Sequence, residues 1–238
     1  MFKVVRFNTI LFTLAAIVLA AAVTPAFFLF ERLSSARAFS QAEKIAVVID
    51  AGHGGEDPGV TGATTGVKES DLNLKMALTL GDLLSSAGYK AVQTRRTEGS
   101  LADGKYNKTK DMEARKRTIE RADPKAVVSL HMNKYPEDPS RRGAQVFYST
   151  DASLPFAEKM QKHLNLTMNE PTLGRGFEPI RGDYYIAKCA DCPSVIIECA
   201  FLSSPLDEAL ISDANYRLRL AIEIEKGIEL FLNDGSAT

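Results

Sequence analysis

The fold is decided by the stretch Val47-Val48-Ile49-Asp50-Ala51-Gly52-His53-Gly54-Gly55-Glu56-Asp57-Pro58-Gly59, in which an apolar run ends abruptly in a glycine-rich turn. The turn contains one of only three histidines in the chain. This pattern predicts a buried strand that delivers an imidazole into a tight loop, a common way to present a metal ligand. A hairpin turn with an exposed histidine is the alternative. Nucleotide binding is disfavoured, because Asp57 stands where a dinucleotide fingerprint needs its third glycine and no Gly-Lys-Ser/Thr follows.

The first forty residues differ in composition from the rest of the chain. Basic residues precede an uncharged apolar span from about Thr9 to Phe30. The span is long enough for a membrane helix, whereas Ala36-Arg37-Ala38 offers a small-x-small cleavage pattern. We expect residues 1–40 to be a cleaved signal or an uncleaved anchor in contact with the membrane, with a slight preference for the anchor. Either form predicts export of residues 41–238.

The remainder of the chain has the pattern of one α/β domain. Apolar strands alternate with amphipathic helices over short connections, which predicts a twisted, mostly parallel or mixed sheet with helices on both faces. The predicted strands are Ile45–Asp50, Lys90–Arg95, Ala126–His131, Ala144–Ser149, Tyr184–Ala187 and Val195–Ala200. The predicted helices start at Ser70 or Asp71 as cap, at Asp111, at Leu154, at Ser204-Pro205 and at Tyr216.

Charge excludes one class of partner. Residues 1–40 carry four basic residues and one acidic residue, so the remainder has 25 basic and 29 acidic residues and a net charge of −4. A mildly acidic domain has no electrostatic basis for binding nucleic acid. The sequence therefore predicts no nucleic-acid partner.

Four further residues of metal-binding type have simpler interpretations. Cys189-Ala190-Asp191-Cys192 could form a small disulfide loop or half of a metal site, but no second pair completes a four-thiolate zinc site, so we interpret it as structural. Cys199 lies in an apolar strand and is expected to be buried. His163 lies among lysines and glutamines and is expected to be exposed, without a role.

Two histidines are expected to meet. His53 and His131 each lie at or just after the end of an apolar strand, and the carboxyl ends of strands in an α/β sheet converge on the edge where ligands bind. A catalytic zinc ion takes three protein ligands and leaves one position for water. The third ligand should then be a carboxylate, and Glu69 is the best candidate. Its position fits equally a glutamate that favours a helix amino terminus, and the local competitors are Glu56, Asp57 and Asp71.

Glu198 is the candidate catalytic residue. It stands at the end of the apolar run Pro193–Ile197. An unpaired charge buried there would lower the stability of the fold by on the order of several kcal/mol. A glutamate at a solvent-exposed strand end is the alternative. Beside a zinc ion, Glu198 would act as a general base that takes a proton from water and hands it to a leaving amine. The combination predicts an amide hydrolase.

Several motifs, spaced along the chain, resemble those of one family, the zinc-dependent N-acetylmuramoyl-L-alanine amidases. The motifs are Val48–Gly59, Glu69–Leu74, Thr94-Arg95, Ser129–Asn133 and Ile197–Ser203, and they occur in this order within residues 45–232. The resemblance implies that His53, Glu69 and His131 bind one zinc ion and that Glu198 is catalytic. It also implies cleavage of the amide between the muramic acid lactyl group and L-alanine of peptidoglycan, outside the cytoplasm. Among the departures from the family pattern, Ala51 replaces a proline and none removes a catalytic group.

The build of the chain is similar to the sporulation and germination-type members of that family. Only Asp151–Leu166 follows the strand at Ala144–Ser149, so an inhibitory insert is not expected, and control would come from expression or a separate protein activator. Substrates in the vegetative wall and the spore cortex both remain open. The rival functions are another zinc peptidase or deacetylase of the wall and a non-catalytic peptidoglycan-binding module. The module would have lost a ligand or the glutamate, and all four residues are present.

Overall fold

The structure, a computed structural model, describes residues 45–102 and 104–234. The expected signal or anchor segment, residues 1–40, lies outside the described residues, so that expectation and the domain boundary drawn at residue 41 stay predictions. Within the described part of the chain, no helix combines the length and apolarity needed to cross a membrane.

The sheet has six strands and mixed direction. The strands are β1 (Ala46–Ala51), β2 (Lys90–Gln93), β3 (Ala126–Asn133), β4 (Gln145–Tyr148), β5 (Ile180–Arg181) and β6 (Ser194–Phe201). They lie in the order β2-β1-β3-β6-β4-β5. The first four in this order are parallel, β4 runs antiparallel to β6, and β5 runs parallel to β4. The predicted mixed α/β sheet is confirmed.

Of the helices in the described residues, four lie between strands and two follow the last strand. They are α1 (Glu69–Ser86), α2 (Lys108–Ala122), α3 (Leu154–Leu164), α4 (Glu170–Leu173), α5 (Pro205–Ser212) and α6 (Ala214–Asn233). A 3₁₀ turn at Asp151–Ser153 precedes α3, and a π turn at Asn165–Asn169 joins α3 to α4. Strand β5, the π turn and α4 were not predicted from the sequence.

Strand β1 shows why the sheet is covered on both faces. All six of its residues are buried, and successive side chains of a strand point to opposite faces. Val47 and Ile49 join a large core that also includes Met76 of α1, whereas Val48 joins a second, smaller core with Ile119 of α2. Helices α1, α3 and α6 therefore cover one face and α2 the other, as predicted.

Two local predictions are wrong. Tyr184–Ala187 is a turn and not a strand, closed by hydrogen bonds from the Ala187 and Lys188 amides to the Tyr184 and Tyr185 carbonyls at 3.2 and 3.1 Å. Helix α1 begins at Glu69 without a side-chain cap from Ser70 or Asp71. Carbonyls of the preceding loop replace the cap: Glu69 N donates to Val60 O at 2.9 Å and Ser70 N to Pro58 O at 3.0 Å.

The histidine and the cysteines outside the candidate site agree only in part with the predictions. His163 is half-buried and not exposed, with 15% of its side chain accessible. Its Nε2 lies 2.9 Å from Glu223 Oε2, a contact that joins α3 to α6. Cys189 and Cys192 are free and half-buried, and Cys199 is buried as predicted.

Candidate metal centre and active site

The structure brings His53, Glu69 and His131 together from three elements. His53 comes from the loop after β1, Glu69 from the first turn of α1 and His131 from β3. Glu69 Oε1 lies 3.2 Å from His53 Nε2 and 2.9 Å from His131 Nδ1. One potential ligand atom from each residue lies within 4.8 Å of the others, so the cluster could hold a metal ion.

Backbone strain and two hydrogen bonds set the orientation of His53. Its φ of 61° is left-handed, a conformation that non-glycine residues rarely adopt and that persists where surrounding contacts enforce it. Arg115 Nη2 donates to the His53 carbonyl at 2.7 Å. On the ring, Nδ1 is hydrogen-bonded to Asp57 Oδ2 at 2.9 Å, and the Tyr106 hydroxyl donates to the same oxygen at 3.1 Å. These contacts turn the other ring nitrogen toward Glu69.

The glycines of the loop are required by the side chains around them. A Cβ on Gly52 would overlap the His131 ring. Gly59 has a φ of 65°, and a Cβ there would overlap the Glu69 carboxylate. Because glycine alone leaves this space free, the glycine-rich turn allows a histidine and a glutamate from other elements to approach the backbone.

Glu69 is a buried, hydrogen-bonded carboxylate and not a solvated one at a helix start. Its Oε2 accepts from Val60 N at 2.8 Å, and its Oε1 accepts from Met132 N at 3.1 Å. Burial alone would raise the pKa of Glu69, but hydrogen bonds and charge interactions with His131 and His53 outweigh it and hold that pKa well below its usual range. Of its competitors, Asp57 contacts the far side of the His53 ring and Glu56 is exposed.

Glu198 lies beside the cluster on the neighbouring strand. It pairs with His131 in the β3–β6 register, so the two side chains leave the same face of the sheet. Its Oε2 is buried and, among the described residues, has no hydrogen-bond partner. Burial raises the pKa of Glu198 to about 7, with the Glu69 charge adding to the rise and His131 and His53 opposing it. A carboxyl group that titrates near neutrality is suited to general acid–base work.

A buried ionic network beneath the loop was not assigned by sequence reasoning. Asp50 Oδ1 accepts from Thr94 Oγ1 and Arg115 Nη1, each at 2.7 Å, and Oδ2 accepts from Ser129 Oγ at 2.6 Å. Burial opposes ionisation, but Arg115 and the two hydroxyls lower the pKa of Asp50 to about 2. The sequence feature that could have indicated this network is Asp50 itself, a carboxylate at the end of an apolar run that needs a buried partner.

Two arginines hold the loop backbone over this network. Arg115 Nη1 donates to Ala51 O at 2.7 Å, and Arg95 donates to Ala51 O at 2.9 Å and to Gly52 O at 3.0 Å. Both side chains are almost fully buried. The carbonyls of Ala51 and Gly52, at the start of the turn, are thereby fixed in direction, and neither arginine belongs to the candidate metal-binding cluster.

Comparisons with known proteins identify the family. The family model for N-acetylmuramoyl-L-alanine amidases (Amidase_3) matches residues 47–230. The germination-specific N-acetylmuramoyl-L-alanine amidase of Bacillus subtilis is 30% identical over 189 residues, which are 76% of this chain and 77% of that protein.

Solved structures agree with this match. The CwlD amidase of Clostridioides difficile, solved in complex with the GerS lipoprotein, has a TM-score of 0.74 and 31% identity over 80% of this chain and 99% of that one. The AmiC2 amidase of Nostoc punctiforme has a TM-score of 0.70 and 26% identity over 80% and 98% of the two chains. The expected likeness to germination-type amidases is confirmed, and the chain belongs to the N-acetylmuramoyl-L-alanine amidase family, whose substrate is peptidoglycan.

Proposed function

We propose that this chain hydrolyses the amide between the muramic acid lactyl group and L-alanine, with His53, Glu69 and His131 holding one zinc ion and Glu198 moving the protons. The observation that carries the proposal is the buried, unpartnered Oε2 of Glu198 on the strand next to His131. A buried polar atom without a partner within the described residues suits a group that a substrate or water molecule satisfies during the reaction.

The donor set fits zinc. Two imidazoles and one carboxylate are the ligands of catalytic zinc sites, which leave one position for water or substrate. When bound, zinc polarises the amide carbonyl and lowers the pKa of water. Asp57 contributes from outside the ligand set, because its hydrogen bond to His53 Nδ1 fixes the tautomer and direction of that ring.

Glu198 supplies the proton transfers. In its ionised form it takes a proton from the attacking water molecule, and in its protonated form it delivers that proton to the amine of L-alanine as the bond breaks. Burial raises the pKa of this carboxyl toward neutrality, which suits it to both steps. The side chain is half-buried, and its inner oxygen, Oε2, has no hydrogen-bond partner among the described residues before the substrate arrives.

Digestion of purified peptidoglycan tests the reaction. Wild-type protein should release intact stem peptides that begin with L-alanine, and Glu198→Ala and chelator-treated protein should release almost none. A deacetylase would release acetate, and a peptidase would release shorter fragments. A Glu198→Ala variant that cleaves as fast as wild type would show that the proposed mechanism is wrong.

Metal content tests the ligand set independently of activity. Single alanine variants of His53, Glu69 and His131 should each lose zinc in elemental analysis, whereas Glu198→Ala should retain it. Full zinc in the Glu69→Ala protein would remove Glu69 from the ligand set and leave the hydrolase proposal intact.

The setting of the reaction also follows from the family. We place it outside the cytoplasm, in the wall or the spore cortex, with residues 1–40 as the anchor or export signal. A protein activator is supported by the C. difficile amidase solved with a lipoprotein. The mass of the mature protein would decide between a cleaved signal and an anchor: a mass lower by about the first forty residues indicates cleavage, and the full mass indicates an anchor.

A further inference from the structure

A cavity of about 320 Å³ adjoins the metal-ligating cluster, and both His53 and His131 line it. Three tyrosines, Tyr106, Tyr184 and Tyr185, belong to the same lining. Tyr184 and Tyr185 are 36% and 42% exposed, so aromatic surface is presented to solvent directly beside the proposed reaction centre. Pockets that bind small molecules combine such apolar surface with a few polar groups.

The turn that carries Tyr184 is fixed in place. Ser149 Oγ accepts from Tyr184 N at 3.0 Å and donates to Tyr184 O at 3.3 Å. The Tyr184 ring meets Phe147 edge-on, with ring centroids 5.8 Å apart, and a Cβ on Gly182 would overlap it. A rigid aromatic side chain loses little conformational entropy when a ligand packs against it. The Tyr184 ring is therefore preformed, and together with the exposed Tyr185 ring in the same lining it is called here the tyrosine wall.

The charged groups around the tyrosine wall are mostly paired. Asp50 and Asp111 both bond to Arg115 at the floor of the cavity, and Asp183 pairs with Lys188 at the rim. Lys108 is an exposed cation in the lining and is the contact expected if the cavity received a carboxylate of the stem peptide. Apart from Lys108, the surface that remains beside the tyrosines is mainly aromatic and apolar.

We propose that the tyrosine wall receives the pyranose ring of the muramic acid residue, which makes the cavity the sugar side of the substrate site. This inference rests on the proposed amide hydrolysis. The substrate carries a sugar on one side of the cleaved bond and a peptide on the other. The C–H-rich face of a pyranose packs well on an aromatic ring, whereas L-alanine offers only a methyl group and backbone polar atoms.

Two substrates with the same amide bond test this assignment. One is an N-acetylmuramoyl tetrapeptide, and the other is the N-lactoyl tetrapeptide, which lacks the sugar ring. Tyr184→Ala should raise KM for the muramoyl substrate about tenfold with little change in kcat. It should leave the lactoyl substrate within about twofold of wild type, and Tyr184→Phe should keep the wild-type KM because the ring remains.

Matched variants control for exposure and folding. Tyr135 is 39% exposed and lies in the loop after β3, outside the cavity lining, so Tyr135→Ala should change neither substrate. Lys108→Ala tests the rival occupant, because a stem-peptide carboxylate bound in the cavity would make this variant raise KM for both substrates alike. If Tyr184→Ala fails to fold by thermal unfolding, Tyr185→Ala provides the same comparison with the other ring of the wall.

The outcomes separate this inference from the proposed function. An equal loss on both substrates, no loss on either, or a loss that follows Lys108 would overturn the sugar assignment while leaving the hydrolysis intact. A wild-type enzyme that cleaves neither substrate would overturn the hydrolysis and this inference together.

Discussion

His131 and Glu198 are partners in the register of two adjacent parallel strands, so their side chains leave the sheet on the same face at its carboxyl edge. His131 belongs to the cluster that could hold a metal ion, and burial raises the pKa of Glu198 to about 7. The sheet itself therefore sets the spacing between proposed metal ligand and proposed base, with no contribution from loop geometry.

Glu198 should set the acid limb of the pH–rate profile. Burial raises the pKa of Glu198 to about 7 in the metal-free protein, and the charge of a bound zinc ion would lower it, so the acid limb of kcat/KM should lie between the usual glutamate pKa and pH 7. Measurement of kcat/KM on a muropeptide from pH 5 to 9 checks this. An acid limb with its midpoint near pH 4.5 would show that burial does not raise the pKa of Glu198 in the active enzyme.

The same group should destabilise the metal-free protein at high pH. Its folded-state pKa lies above the unfolded value, so folding favours the protonated form, and stability is lost as the pH rises through 7. Glu198→Gln should therefore stabilise metal-free protein at pH 8 by about 2 kcal/mol and have little effect at pH 4. Urea unfolding at the two pH values measures the difference, and an equal effect at both would exclude ionisation as its cause.

The Asp50–Arg115 pair should govern acid stability. The folded-state pKa of Asp50 is about 2, below its unfolded value, so its contribution is present above pH 4 and is lost as the pH falls toward 2. Asp50→Asn leaves Arg115 buried with one carboxylate partner fewer and should cost about 3 kcal/mol at pH 7. The difference between the urea midpoints of wild type and Asp50→Asn should become smaller below pH 4. A difference that does not change with pH would contradict a stabilising role for ionised Asp50.

Much of this site could be predicted because its residues stand at the ends of apolar runs. Continuous apolar runs in the sequence predict the buried strands β1, β3 and β6. Because the carboxyl ends of parallel strands lie at one edge of a sheet, His53, His131 and Glu198 are expected together at that edge. Their catalytic roles stay predictions, but their proximity is a structural fact.

The parts that were missed depend on partners far away in the sequence. Arg115 meets Asp50 across 65 positions and His163 meets Glu223 across 60, and no local pattern records either contact. At the start of α1, loop carbonyls take the place of a side-chain cap, and the local sequence does not indicate this either. The aromatic residues of Tyr184–Ala187 favour a strand, whereas in the structure this segment is a turn.

Gly59 should be needed for metal binding beyond its backbone conformation. Gly59→Ala strains a φ of 65° and also displaces the Glu69 carboxylate, whereas Gly66→Ala strains a φ of 72° with no atom within 4 Å of the new Cβ. Both should lose about 1 kcal/mol of stability from the backbone alone. Only Gly59→Ala should bind zinc more weakly in a chelator competition. Equal zinc affinity in the two variants would mean that Glu69 moves without consequence and is not a ligand.

Asp57 should act on the metal through His53. Asp57→Asn replaces the carboxylate that accepts from His53 Nδ1 with an amide and should weaken zinc binding about 10- to 100-fold, as the loss of such supporting contacts commonly does. Tyr106→Phe is the matched control, because it removes the other hydrogen bond to the same oxygen and leaves the carboxylate in place. Its zinc affinity should stay within about threefold of wild type, since the charge that orients the imidazole remains. Zinc competition with a chromophoric chelator measures both variants. A larger loss in Tyr106→Phe than in Asp57→Asn would show that the loop carrying Tyr106, and not the carboxylate, holds His53 in position.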